Sequence, residues 1–257
     1  MTVLLTGAAG KIGTALRERL PGYGWQLRGF DREPTPDGIV GDITSTADLA
    51  RAVGGVRAVV HLAGQPTEAP WPVIREANLE GTLRVFEAAR QAGVPRLVYA
   101  SSNHAVGFTP LAPDQPADLP PRPDTLYGVS KVFGEALGRY YADRYGMQVA
   151  CLRIGTFEPR PSHPRALSTW LSPDDAARLV DACLRAPQLE YALVWGVSAN
   201  TRRSWSLDAG RALGYEPQDD AERYAAEVEA GSAPSDALLG GAFTTVDYGI
   251  DEIAARW

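Results

Sequence analysis

Cysteine, histidine and concentrated positive charge are all scarce in this 257-residue chain. The two cysteines, Cys151 and Cys183, have neither metal-ligand spacing nor partners for a disulfide framework. Both stand in apolar stretches and read as small buried side chains. With no Cys/His/Asp cluster, no metal site is expected. His61 reads as a strand residue facing a helix, and His163 as a loop residue. No basic run is present to neutralise several phosphates, and the net charge is −6, so no nucleic-acid partner is expected. No stretch reaches the ~18 consecutive apolar residues of a membrane span. The start, Met1-Thr2-Val3-Leu4-Leu5-Thr6-Gly7, lacks the basic and apolar regions of a leader. No membrane partner is expected, and a reducing cytoplasm is the expected compartment. No internal repeat is visible.

What is present is an ordinary globular composition, 45% hydrophobic and 22% charged, at a length near the upper limit for one core. Residues 1–257 are therefore expected to form a single domain. Short apolar runs alternate with helical patterns through the first half, the signature of βαβ units. Strands are predicted at Val3–Leu5, Trp25–Phe30, Ala58–Leu62, Arg96–Ala100 and Val149–Ile154. Helices are predicted through Leu16 and Leu20, from about Ile74 to Ala92, and from about Thr125 to Arg144. Beyond Gly155 prolines loosen the pattern; Pro173 opens a helix, Leu189–Trp195 forms a last strand and Leu207–Leu213 a short helix. Asn103 to Asp124 holds six prolines and reads as a long ordered loop or a flexible linker. The expected fold is α/β, a doubly wound parallel sheet of the Rossmann type. Residues 1–155 would be its core, and 156–257 a small substrate-binding and C-terminal portion.

Thr6-Gly7-Ala8-Ala9-Gly10-Lys11-Ile12-Gly13 follows the first strand and opens the first helix. Glycines there permit a tight turn and let backbone N–H groups approach a pyrophosphate at the positive helix terminus. The spacing is G-x-x-G-x-x-G, with Ala8 where the commoner G-x-G-x-x-G carries a glycine. Asp31 ends the second strand, where a carboxylate can hold the adenosine ribose diol and repel a 2′-phosphate, favouring NAD. Arg32 beside it could accommodate that phosphate, and Asp31 could instead serve the Asp31-Arg32-Glu33-Pro34 turn. Asp42-Ile43 could contact adenine, or Asp42 could be a turn or cap residue.

Tyr127 and Lys131 are four apart on a predicted helix and share a face. A phenol that transfers a proton at neutral pH needs its pKa of about 10 lowered by roughly three units, about 4 kcal/mol. One ammonium at about 4 Å supplies roughly that much at an effective dielectric of about 20.

In order along the chain stand Thr6-Gly7-x-x-Gly10-x-x-Gly13, Asp31, His61-Leu62-Ala63-Gly64, Asn78-x-x-Gly81-Thr82, Ser101-Ser102 and Tyr127-x-x-x-Lys131. Together they resemble the extended short-chain dehydrogenase/reductase family, over roughly residues 1–155. The resemblance implies NAD as cofactor, held by Gly7, Gly10, Lys11, Ile12, Gly13, Asp31, Asp42, Ile43, Leu62, Ala63, Gly64, Asn78, Tyr127, Lys131 and Ile154. It implies Tyr127 as general acid/base, Lys131 as the residue that lowers its pKa, and a serine bound to the substrate hydroxyl. Many relatives carry a third Ser or Thr where this chain has Asn103; Ser102 is the favoured hydroxyl, with Ser101 a strand-end residue.

Further stretches are similar to a narrower group, the bacterial uronate dehydrogenases. They are Ala100-Ser101-Ser102-Asn103-His104, Arg122-Pro123-Asp124, Leu126 to Lys131, Arg153-Ile154-Gly155, Leu167-Ser168-Thr169-Trp170, Val194-Trp195-Gly196 and Ser198-Ala199-Asn200. That group oxidises C1 of cyclic glucuronate or galacturonate with NAD to the aldaric acid lactone. The resemblance implies a small uronic acid as partner, self-association, and a substrate site of Ser102, Asn103, His104, Tyr127, Thr156 and Arg165. A guanidinium such as Arg165 clamps a carboxylate bidentately, though it could also be an exposed loop residue. His104 could bind ring hydroxyls or hold its loop together. Pro66 stands where the group presents a serine, so Gln65 or Thr67 replaces that contact or sugar preference differs. Trp170, Trp195 and Trp205 are expected in the core or an interface.

Two rivals share the first half. A nucleotide-sugar epimerase or dehydratase, or another sugar dehydrogenase, would use the same pair, but the nucleotide enzymes need a larger C-terminal part than the about a hundred residues after Arg153. A non-catalytic dinucleotide sensor would not need Ser102, Tyr127 and Lys131 together.

Overall fold

The computed structural model of the chain describes residues 1–36, 38–228 and 237–248. Strands β1 (Thr2–Thr6), β2 (Gln26–Asp31), β3 (Ile39–Val40), β4 (Ala58–His61), β5 (Arg96–Ser102) and β6 (Gln148–Ile154) alternate with helices. These are α1 (Lys11–Arg19), α2 (Thr46–Val53), α3 (Trp71–Ile74), α4 (Thr82–Gln91) and α5 (Leu126–Tyr145). Beyond residue 155 come β7 (Thr156–Phe157), α6 (Ala166–Thr169), β8 (Trp170–Leu171), α7 (Pro173–Arg185), β9 (Tyr191–Gly196) and α8 (Asp208–Ala212). Seven strands form one sheet in the order β3-β2-β1-β4-β5-β6-β9, and every pair is parallel. The seventh strand comes from beyond residue 155, so both stretches of the chain build the sheet.

Apolar runs become central strands here because both faces of the sheet are covered. Successive side chains point to opposite faces. Val3, Leu5, Val60, Val98, Ala150 and Leu152 pack with Leu16, Leu20, Leu179 and Val180 of α1 and α7. Leu4, Val59, Leu97, Val149 and Cys151 meet Leu49, Val85, Phe86 and Tyr141 on the other face. Cys151 and Cys183 are buried and unbonded, as their apolar settings implied. Trp195 and Trp205 stack at 4.4 Å in the core, and Trp170 is buried as well. Among the described residues, no helix is long and apolar enough to cross a membrane, and no group of side chains could hold a metal ion.

Helix starts follow the expected capping chemistry. Ser45, Thr125 and Ser172 accept the amides of Asp48, Gly128 and Asp175, and Pro173 occupies the first turn of α7. Five of these elements have no counterpart in the sequence reading: α2, β3, β7, α6 and β8, all but α2 being four residues or shorter. The helix predicted from Ile74 begins at Trp71 and widens into a π-helical stretch at Arg75–Gly81. The proline-rich stretch is an ordered loop. Phe108 N–H donates to Arg122 O at 2.9 Å, Arg122 N–H to Ala105 O at 3.0 Å, and Gln115 N–H to Ser204 O at 2.8 Å.

Asn200 is one of the side chains that fasten the C-terminal stretch. Fully buried, it donates to Trp170 O at 2.8 Å and accepts Ala221 N–H at 3.0 Å. Trp170 O keeps the Ser198 N–H at 2.8 Å, so Asn200→Ala deprives Ala221 N–H of its acceptor, at a cost of about 1–3 kcal/mol. A lower urea midpoint with an unchanged m-value is the expected outcome, read by equilibrium unfolding.

Candidate active site

The strand order reverses between β1 and β4, and all strands end at the same edge, where a crevice opens. The glycine turn lies in that crevice. Gly7 has φ +72, and a Cβ there would sit 2.7 Å from Ala63 N; one on Gly13 would sit 2.1 Å from Gly7 O. The turn is thus pressed against Leu62-Ala63 at the end of β4. Gly10, which caps α1, makes no side-chain cap bond, so Lys11, Ile12 and Gly13 present their amides at a positive helix end. Gly64 closes the opposite wall with φ +148. A glycine turn packed this closely on β4, with helix amides left at its end, suits a dinucleotide pyrophosphate.

The other expected cofactor residues have more varied placements. Asp31 ends β2 and accepts Ala9 N–H at 2.9 Å and Glu33 N–H at 3.1 Å, so its carboxylate joins the glycine turn to the adenosine side of the crevice. Asp42 takes the turn role: it accepts both Thr44 N–H and Thr44 Oγ–H at 2.8 Å, and these bonds, the backbone one first, lower its pKa. Ile43 turns its side chain into the core against Gly81. Asn78, buried in the π-helical stretch, accepts Gln65 N–H at 2.7 Å and donates to Gln65 O at 3.1 Å and Ser130 Oγ at 2.9 Å. Its amide therefore holds the loop after β4. Ile154, at the end of β6, is buried in the core.

Ser102, Tyr127 and Lys131 come together from β5 and the first turns of α5. Tyr127 is buried, with the Ser102 hydroxyl near enough to favour its ionised form. Lys131 Nζ donates to Ala100 O at 2.8 Å and stands 5.4 Å from the centre of the Tyr127 ring. The electrostatics differ from the expectation that Lys131 depresses the phenol. Burial pushes Tyr127 up to about 12; the Ser102 hydroxyl opposes this and the Asp124 carboxylate adds to it. Burial likewise brings Lys131 down to about 8, while Glu135 opposes. Burial of the phenolate therefore sets the direction of its shift.

The expected substrate residues surround this pair. His104 pairs with Asp124 through Nδ1 at 2.7 Å, stacks on Phe243 at 4.0 Å and lies 6.0 Å from the Tyr127 ring. Asn103 donates to Leu239 O at 3.1 Å, and the Arg165 guanidinium donates to the same carbonyl. Thr156 bonds Thr169 Oγ1 at 2.8 Å. His163 is a loop residue that accepts Ala166 N–H at 3.3 Å. His61 bonds Thr6 at 2.7 Å and Thr82 of α4 at 3.2 Å, as a strand residue facing a helix should. Its burial and the Lys131 charge hold its pKa down to about 3, so it is neutral.

Four contributors were not foreseen. Glu68, buried in the loop after β4, accepts Tyr127 N–H at 2.8 Å and fixes the start of α5. Asp124 orients His104; it stood in the resembling Arg122-Pro123-Asp124 stretch, with no role assigned to it. Leu239 O and Phe243 come from a C-terminal segment with no periodic pattern.

The displaced pKa of Lys131 has a consequence for stability. Between about 8, its value in the fold, and 10.5 the unfolded chain binds more protons, so stability rises with pH across that window. Below pH 8 the cost of the buried ammonium is fully present. Lys131→Met is expected to raise the melting temperature at pH 7, with a gain that shrinks as pH passes from 8 to 10.5. Thermal unfolding at a series of pH values checks this.

Comparison with known proteins agrees with this geometry. Residues 3–173 match the model of the NAD dependent epimerase/dehydratase family. The chain is 42% identical to a uronate dehydrogenase of Agrobacterium fabrum, over 94% of this chain and 96% of the relative. It is 40% identical to an NAD-dependent glucose-6-phosphate dehydrogenase of Haloferax volcanii, over 88% and 97%. A solved uronate dehydrogenase mutant from Agrobacterium tumefaciens, complexed with NAD, superposes with a TM-score of 0.88 at 39% identity, covering 95% of this chain and 96% of that one. The chain belongs to the NAD dependent epimerase/dehydratase family and is an NAD-dependent oxidoreductase.

Proposed function

We propose that the protein is a uronate dehydrogenase that oxidises C1 of cyclic D-glucuronate or D-galacturonate to the aldarolactone. The observation that carries this reading is the convergence of Arg165 and Asn103 on Leu239 O, beside the Ser102–Tyr127 pair. It brings a guanidinium from the 158–165 loop to the residue that follows the candidate hydroxyl. A uronate has the matching layout, a C1 hydroxyl at one end of the ring and a carboxylate at the other. The relatives named uronate dehydrogenase support the same reading.

In this proposal Ser102 orients the C1 hydroxyl and Tyr127 removes its proton. Lys131 steadies the phenolate, and the ring of His104, held by Asp124 and Phe243, receives a ring hydroxyl. Arg165 pairs with the far carboxylate, so only C1 can reach the reacting position. Bound NAD supplies the hydride acceptor and a positive charge that favours the phenolate. As the C1–H electron pair leaves with the hydride and the hydroxyl proton passes to Tyr127, the C1–O bond becomes the lactone carbonyl.

The test is formation of reduced nicotinamide from NAD with glucuronate, galacturonate, glucose, arabinose, glucose 6-phosphate and a nucleotide sugar. The uronates are expected to give the highest kcat/KM; equal activity on glucose would overturn the role of Arg165. Arg165→Ala is expected to raise KM for uronates by roughly 10–150-fold, the loss of one charge-assisted pair. Tyr127→Phe should abolish turnover and leave NAD affinity within a few-fold of the parent, as measured by fluorescence titration.

A further inference from the structure

One turn beyond Lys131, α5 carries a second buried charged residue. Glu135 is 4% exposed. Its Oε1 accepts Ser101 Oγ–H at 2.6 Å and Arg153 Nε–H at 2.9 Å, and its Oε2 accepts Arg153 Nη2–H at 2.8 Å. Arg153, on β6 and 1% exposed, spends its remaining arm on Ala117 O at 2.8 Å and Leu119 O at 3.0 Å. Those carbonyls belong to the loop that leads from Ser102 round to Tyr127. The carboxylate therefore touches the residue before Ser102, stands one helical turn from Lys131, and through Arg153 holds the loop between them.

The charges surrounding Lys131 can be named. From α5 it faces Tyr127 and Glu135, from β5 Tyr99 with its ring 5.2 Å away, and from β4 His61. Tyr99 and His61 are held in their neutral forms by burial. Asp124 stands on the far side of Tyr127. Glu135 is thus the carboxylate in this set that shares a helix face with Lys131. Together Lys131, Arg153 and Glu135 leave one net positive charge, the complement of a single phenolate.

We propose that Glu135 is a positioning residue: tied to Ser101 and Arg153, it sets where α5 lies on β5 and keeps Lys131 in its ammonium form beside Tyr127. This rests on the dehydrogenase reading of the site, but one readout is independent of turnover. Lys11 and Lys131 are the chain's two lysines, so protein labelled with 13C-lysine gives two Cε resonances to follow against pH.

The experiment compares the full-length parent with Glu135→Gln, Glu135→Asp and Glu135→Gln/Arg153→Gln, the last leaving no buried charge unpaired. The Lys131 resonance is expected to titrate near pH 8 in the parent. It should move down by about one pH unit in Glu135→Gln, by less in the double variant, where loss of the Arg153 charge acts the other way, and return towards the parent value in Glu135→Asp. The alkaline limb of kcat should move with it, while KM for NAD stays within about threefold. Ser101→Ala, which keeps the ion pair, should lower kcat several-fold at unchanged KM and leave the Lys131 titration in place. An unmoved Lys131 titration in folded Glu135→Gln overturns the charge role, and an unchanged kcat in Ser101→Ala overturns the positioning role. If the parent turns over none of the sugars, the function reading fails and the Lys131 titration still decides the charge role.

Discussion

A helix that must present reactive groups at the edge of a buried sheet has to bring polar side chains into the seam and satisfy them there. That constraint governs this protein. Along the α5–β5 seam Lys131 Nζ bonds Ala100 O at 2.8 Å, and one turn later Glu135 bonds Ser101 at 2.6 Å. The helix can come this close because Gly134 has no side chain: a Cβ there would stand 2.2 Å from the Tyr99 ring. Buried polar groups are expensive unless paired, so these bonds permit one stagger of helix on strand. That stagger puts Tyr127 against Ser102.

The two ends of the site are built differently. The cofactor end is local: a glycine turn, the amides of α1 and the end of β4, all within the first 64 residues. The substrate end draws on distant pieces, since Asn103 and Arg165 meet at Leu239 O and His104 lies between Asp124 and Phe243. Backbone carbonyls do much of the holding there, including Ala117 O and Leu119 O on Arg153. Those contacts depend on where loops pass, so loop changes can retune the sugar end while the cofactor end keeps its form.

Burial drives Tyr127 and Lys131 the same way, each towards its neutral form. At neutral pH that leaves Tyr127 a phenol, while Lys131, brought down only to about 8, is still an ammonium beside it. The site is therefore poised: positive charge brought near the phenol counters the desolvation that now dominates. The stability cost of the Lys131 ammonium reflects the same burial.

Much of the fold was legible because a parallel sheet covered on both faces leaves apolar runs that anyone can count. Gly7, Gly10, Gly13, Asp31, Tyr127 and Lys131 were legible because their roles depend on short spacings that local geometry fixes. Asn78 and Asp42 were half legible: the residues stood out, but their hydrogen bonds were those of loop and turn. By itself the sequence determined the βαβ order, the glycine turn and the face shared by Tyr127 and Lys131, because each follows from backbone periodicity and side-chain size. The tertiary structure alone decided the buried Glu135–Arg153 pair, the Glu68 bond to the start of α5, and the convergence of Asn103 and Arg165 on Leu239 O. Those depend on residues 18 to 136 positions apart meeting at one sheet edge, and on desolvation, neither of which leaves a local pattern in the chain.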